Sequence, residues 1–235
     1  MIALAQYEFR NGDIGFNLKN MERAAAKASG SAAIICFGES FLQGFDSLSW
    51  NFENDRHIAI EKNSDIIRRI EKMSRDFGIG FIFGYLELDG ESIFSSCAVI
   101  LNGRLSHNYR RISVGWREMN TDEHYKEGNS TCEFDHRGQK FMLALCGDMW
   151  DMPERFKTDG VLIWPVYVNF PLNEWREYEN EYAEQALLAA NRALLVNSIS
   201  NDPDPESVGG AFLFENGRLV QRLDYGEEGL LIIEI

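Results

Sequence analysis

Cys146 carries the chemistry most easily read from this sequence. It follows residues 141–145 (FMLAL), an apolar run of strand length, and precedes Gly147, Asp148, Asp151 and Pro153. Asp151 with Pro153 soon after predicts a helix start, because proline costs least in a helix's first turn. A thiol between a strand end and a helix start meets unpaired N–H groups and the positive end of the helix dipole, which favour a thiolate. The same N–H groups would hold the oxyanion formed when a thiol attacks a carbonyl. By position alone, a lone cysteine after an apolar run also reads as a small buried hydrophobe.

The second chemistry-bearing position is Glu39. Residues 32–37 (AAIICF) form a continuous apolar strand that runs into Gly38, Glu39 and Ser40. A carboxylate there is either a solvated loop residue or a site residue, since sites in α/β sheets gather at the C-terminal ends of strands.

The elements that must position these groups follow from periodicity. Residues 2–6 read as a short strand, and residues 17–29 as a helix with Leu18, Met21, Ala25 and Ala28 on one stripe, stopped by Gly30. Residues 60–77 repeat the pattern with Ile66, Ile70, Met73 and Phe77, ended by Gly78, and a strand over 79–86 follows. Asp89-Gly90, Asn102-Gly103 and Asn216-Gly217 are strong hairpin signals, and Arg137-Gly138 a weaker one. Hairpins among β-α-β units exclude a simple (β/α)₈ barrel and fit mixed sheets covered by helices. Residues 110–130 are polar and irregular, with Trp116 and Tyr125; long loops of this kind are often functional. Further on, strands are expected at 161–164, 194–199, 211–214 and 230–235, and a helix at 174–192 with Tyr178, Tyr182, Ala186 and Ala189 along one face. Residues 201–210 (NDPDPESVGG) read as a surface loop. With no repeat and no linker, residues 1–235 read as one domain.

Composition narrows the classes. Hydrophobic residues at 45% with 26% charged describe an ordinary globular chain, and a net charge of −14 argues against a nucleic-acid surface. The N-terminus lacks the charged start and long apolar core of a signal peptide, and no apolar run reaches membrane-span length. Cys36, Cys97, Cys132 and Cys146 are widely spaced, without a CxxC pair or a histidine at zinc-ligand spacing, so reduced thiols in a cytosol are expected and a metal site is not.

Glu39, Tyr109-Arg110-Arg111 and Cys146, in that order at strand ends, resemble the nitrilase superfamily, the carbon–nitrogen hydrolases with a Glu-Lys-Cys triad. IALAQ, AAIICFGES, ALLAANRALLVNSISND and GGAFLFENGRLV resemble other family elements, so the likeness covers nearly the whole chain. It implies an α/β fold of the α+β type, a four-layer α-β-β-α sandwich, usually a homodimer. It implies a Cys146 nucleophile and a Glu39 general base acting on a small amide, carbamoyl or nitrile-like molecule, with no cofactor. Arg111 stands where the family has its lysine. Arginine keeps its charge and cannot shuttle protons, but it can supply a fixed cation if its larger head fits. Gly38 replaces a family proline, Pro153-Glu154 sits wider from the cysteine than usual, and Thr121 or Asp122 takes the place of a second family glutamate, with Glu123 close by. Gly147, Trp150, Glu123 and Asn169 are candidate substrate contacts. Two further readings stand beside this one: a catalytically weak or silent relative that binds a ligand or partner, and a Cys-His amidotransferase, for which His124 is the one histidine in a plausible site loop.

Overall fold

The computed structural model describes residues 1–201 and 207–235. In chain order the first half contains β1 (Ile2–Gln6), β2 (Glu8–Phe9), α1 (Ile14–Ala28), β3 (Ile34–Cys36), α2 (Phe52–Asp55), α3 (Asp65–Phe77), β4 (Gly80–Asp89), β5 (Ser92–Leu101) and β6 (Arg104–Arg110). The second half contains β7 (Cys132–His136), β8 (Gln139–Leu143), α4 (Asp148–Asp151), β9 (Val161–Val166), α5 (Leu172–Leu187), β10 (Arg192–Ser200), β11 (Ser207–Glu215), β12 (Arg218–Arg222) and β13 (Gly229–Ile233).

These strands form two mixed sheets, ordered β13-β1-β3-β4-β5-β6 and β12-β11-β10-β9-β8-β7, with β2 beside β10. Within each sheet the central pairs are parallel and the outer pairs antiparallel; all the latter follow one another in the chain except β1 and β13, which pair across its two ends. Both faces of the first sheet are buried, so β1 alternates its allegiance with period two. Ile2 and Leu4 pack between the sheets with Leu143, Ile163 and Leu195, whereas Ala3 and Ala5 face Leu18 and Met21 of α1 and Ile67 and Ile70 of α3. Trp175, Tyr182 and Ala186 of α5 cover the second sheet. The layers therefore run α-β-β-α. Each large apolar side chain buried in them contributes about 1.5–3 kcal/mol.

Local chemistry explains the boundaries. Asp13 caps α1 by accepting from the Phe16 N–H at 2.9 Å, and Gly78 ends α3 in the left-handed region at φ 64°. All four expected hairpins form, the Arg137-Gly138 turn included, where Arg137 and Gly138 both hold positive φ.

Four expectations need correction. The helix after Cys146 begins at Asp148, not Asp151; it is a single turn, and Pro153 opens a separate 3-10 turn (Pro153–Phe156). α5 stops at Leu187 rather than reaching Arg192, because Arg192 already pairs with Val161 and Glu215 in the sheet. β9 runs through Pro165 to Val166: proline lacks the donor, yet its carbonyl still accepts a hydrogen bond. Residues 207–210 belong to β11 instead of a loop, and the rest of that expected loop, residues 202–206, lies outside the described residues. Among the described residues, no helix is long and apolar enough to cross a membrane.

Candidate active site

Two adjacent carbonyls at the end of β9 bring the thiol and the carboxylate together. The Cys146 N–H donates to Pro165 O at 3.0 Å, and the Glu39 N–H donates to Val166 O at 3.1 Å. Each residue lies three positions beyond its own strand, β8 or β3. Trp164 Nε1 clamps the thiol's turn by donating to Cys146 O at 2.9 Å. Cys146 holds φ 40° and Ser40, next to Glu39, φ 51°. Left-handed backbone costs a non-glycine residue roughly 1–2 kcal/mol, so both chemistry-bearing turns are strained and must be held by their surroundings. Gly84 of β4 allows the Glu39 turn to pass: a β-carbon there would lie 2.6 Å from Glu39 Cα.

Glu39 is fully buried. Its Oε1 accepts from Arg111 Nη1 at 2.9 Å and from Ser95 Oγ at 3.0 Å. Its Oε2 is buried with no hydrogen-bond partner among the described residues, while the carboxylate interacts with the Cys146 thiol. Arg111 is 3% exposed, and its Nε donates to Ser113 Oγ at 2.6 Å. Burial alone would weaken its grip on the proton, but Glu39, with Cys146 and Asp148, outweighs this and holds it above the usual arginine range.

Cys146 is partly open to solvent, and its thiol lies 3.8 Å from Tyr167 O. Desolvation, followed by repulsion from Glu39, pushes this thiol up to about 12 against the opposing pull of Arg111. The expectation of a thiolate-favouring turn is thereby corrected. The helix is too short to offer much dipole, and a buried carboxylate beside sulfur penalises a second negative charge.

The remaining sequence candidates fall in different places. Gly147 lies directly under the Arg111 guanidinium, and its N–H donates to no group among the described residues. Trp150 is half-buried in an aromatic cluster with Trp164 and Tyr182. Asn169 is half-buried in the segment between β9 and α5. Glu123 is exposed, with no hydrogen bond or ion pair to the buried cluster among the described residues. His124 stacks on Phe52 and bonds the Glu91 carbonyl, away from the thiol. Arg110 points to the other side of β6, paired with Glu87 and Asp89. A polar cleft of about 420 Å³ beside it includes Asn108, Tyr109 and Arg110 but none of Glu39, Arg111 and Cys146.

Asp148 is the residue that sequence reasoning passed over. Fully buried, it accepts from Tyr109 Oη (2.6 Å) and from the N–H groups of Ile112 (3.0 Å), Ser113 (2.8 Å) and Leu145 (2.9 Å). It therefore ties the segment carrying Arg111 to the turn carrying Cys146. Its one sequence signal is an acidic residue directly after the turn glycine, in a segment where Asp151 offers a second carboxylate.

The fold is found again among known proteins. An (R)-stereoselective amidase from Pseudomonas sp. is 22% identical over 153 residues, 65% of this chain and 53% of that protein, so the match spans about half of the relative's length. The amidase from Nesterenkonia sp. AN1, of the nitrilase superfamily, superposes at TM-score 0.82 with 18% identity, covering 100% of this chain and 90% of that one. A glutamine-dependent NAD+ synthetase from Acinetobacter baumannii superposes at TM-score 0.77 with 19% identity, this chain matching 44% of its length. At such identities these structures show a shared fold. The carbon-nitrogen hydrolase family itself matches residues 1–235, the whole chain. The protein belongs to the carbon-nitrogen hydrolase family.

Proposed function

We propose that this protein hydrolyses a non-peptide C–N bond in a small amide, carbamoyl or nitrile-like substrate through a thioester on Cys146. The observation that carries this reading is the buried Glu39–Arg111 pair set against the thiol, with Glu39 Oε2 turned to no other group among the described residues. A thiol held near 12 is protonated at neutral pH, so attack requires its proton to move to Glu39 as Sγ bonds to the substrate carbon. In an amide or carbamoyl substrate the negative charge that develops on the oxygen meets Arg111 and the Gly147 N–H, which has no partner among the described residues. Such a donor is worth about 10²–10³ in turnover. A nitrile would instead give a thioimidate, which takes up one water before its nitrogen departs. Glu39 then passes the proton to the departing nitrogen, releasing ammonia or an amine. It next takes a proton from water, which cleaves the thioester to the acid and restores the thiol. Arg111 keeps its proton throughout and acts as a fixed charge.

The same expectations extend to a homo-oligomer in a reducing cytosol; the four free cysteines support the second part. The Pseudomonas and Nesterenkonia amidases are named for amide substrates, which favours amides over nitriles here.

The test is a panel of small amides and carbamoyl compounds with intact-mass detection. The expected result is a substrate-dependent acyl adduct on Cys146, lost together with turnover in Cys146→Ala, whose fold is unchanged. Turnover that survives in Cys146→Ala overturns the reading. Binding without any adduct or turnover transfers it to the silent, ligand-binding alternative.

A further inference from the structure

We propose that Gly147 positions Arg111: the space left by its missing side chain seats the guanidinium, and with Ser113 it makes this a site built for arginine. The backbone does not require glycine there. Gly147 holds φ −62° and ψ −15°, the right-handed region that alanine adopts freely. What excludes a side chain is the guanidinium. A β-carbon on Gly147 would run into Arg111 Nη2 and lie 3.3 Å from Arg111 Cζ and 3.2 Å from Ser113 Oγ.

The head group is anchored at two points. Nε is held by Ser113 at 2.6 Å and Nη1 by Glu39 at 2.9 Å. A planar fork with two anchored nitrogens cannot shift without breaking one of those bonds. A lysine at this position would offer one nitrogen, leave Ser113 without its partner and vacate the space over Gly147. Arginine at 111 and glycine at 147 are thus one matched choice: a side chain after the cysteine and a guanidinium over the turn exclude each other. What the seated cation does during a reaction rests on the amide-hydrolase reading; the seating itself rests on these contacts.

The experiment follows the thiol, because it needs no substrate. The ionisable groups facing Cys146 are Glu39, Arg111 and Tyr182, and Arg111 alone among them favours the thiolate. Iodoacetamide labelling of each cysteine would be timed at pH 8 by peptide mass spectrometry in the full chain and in Gly147→Ala, Arg111→Lys and Gly147→Ala/Arg111→Lys. Displacing the guanidinium in Gly147→Ala is expected to slow Cys146 roughly tenfold, the effect of one unit of thiol pKa, with buried Cys36 and Cys97 unchanged. The double variant, whose slimmer lysine tolerates the new methyl, is expected to label close to Arg111→Lys. Circular dichroism reports whether each variant folds; should Gly147→Ala not fold, a folded double variant supports the pairing. Cys146 labelling at the wild-type rate in Gly147→Ala, or a double variant no better than Gly147→Ala, overturns it. Labelling in the expected order with no amide turned over leaves the seating intact and removes the amide-hydrolase reading instead.

Discussion

The Tyr109 hydroxyl donates to the Asp148 carboxylate at 2.6 Å, a bond that crosses from the strand leading into Arg111 to the helix that follows Cys146. Burial, reinforced by Asp148, holds that phenol well above its usual pKa, so it remains a donor at every working pH. Asp148 accepts three backbone N–H bonds besides. Asp148→Ala would orphan four donors. At about 1–3 kcal/mol for each unsatisfied buried group, the expected loss exceeds about 4 kcal/mol in urea denaturation. A loss below about 1 kcal/mol would show that the two turns are held by something else.

Glu39→Gln separates proton transfer from thiol acidity. The carboxylate pushes the thiol up, so removing its charge lets the thiol fall from about 12. Alkylation of Cys146 at pH 9 should therefore quicken in the variant. Amide turnover should fall about 10²–10⁴-fold, the usual worth of a general base. The two rates moving in the same direction would refute this division of labour.

Removing the cation tests the buried pair as a structural element. Arg111→Ala leaves Glu39 fully buried without its ion-pair partner, a situation that typically costs about 3–5 kcal/mol. Urea denaturation of the variant beside the unsubstituted chain reads that cost directly. A denaturation midpoint insensitive to the substitution would mean that Glu39 rearranges toward solvent.

Gly84→Ala probes the floor beneath Glu39. The new methyl would press on the Glu39 and Ser40 backbone, and overpacking of this kind costs about 1–3 kcal/mol. Because the strain falls on the turn that holds Glu39, kcat should drop while KM changes little. A wild-type kcat would show that β4 yields in place of the turn.

A clamp outside the cluster is also open to test. Tyr125 Oη donates to buried Asp55 at 2.6 Å, pinning the segment after Arg111 to α2 beside Trp50 and Trp116. Tyr125→Phe leaves one Asp55 oxygen without that donor and should cost about 1–3 kcal/mol, with faster proteolysis between residues 113 and 128. Unchanged protease resistance there would show that the aromatic packing suffices.

Alternating and helical apolar patterns marked the face each element has to bury, while the α-β-β-α order of the layers came from the family resemblance. β1 has to bury both faces, α1 and α3 present one stripe each, and paired turn residues at Asn102-Gly103 and Asn216-Gly217 can be satisfied only by hairpins. Boundaries were less legible. Nothing local told Arg192 to leave the helix or Pro165 to stay in a strand, because both were settled by partners far away in sequence: Val161 and Glu215 for the one, Cys146 for the other.

The sequence by itself determined which groups are available: a thiol, a carboxylate and a fixed cation at the ends of three strands. Tertiary structure decided what those groups are to one another. Adjacent carbonyls of β9 set the thiol beside the carboxylate, burial made that thiol reluctant to ionise, and Gly147 left the gap that Arg111 fills. Desolvation and steric fit depend on every neighbour in space, and a chain read in one dimension lists residues without saying which of them will be neighbours.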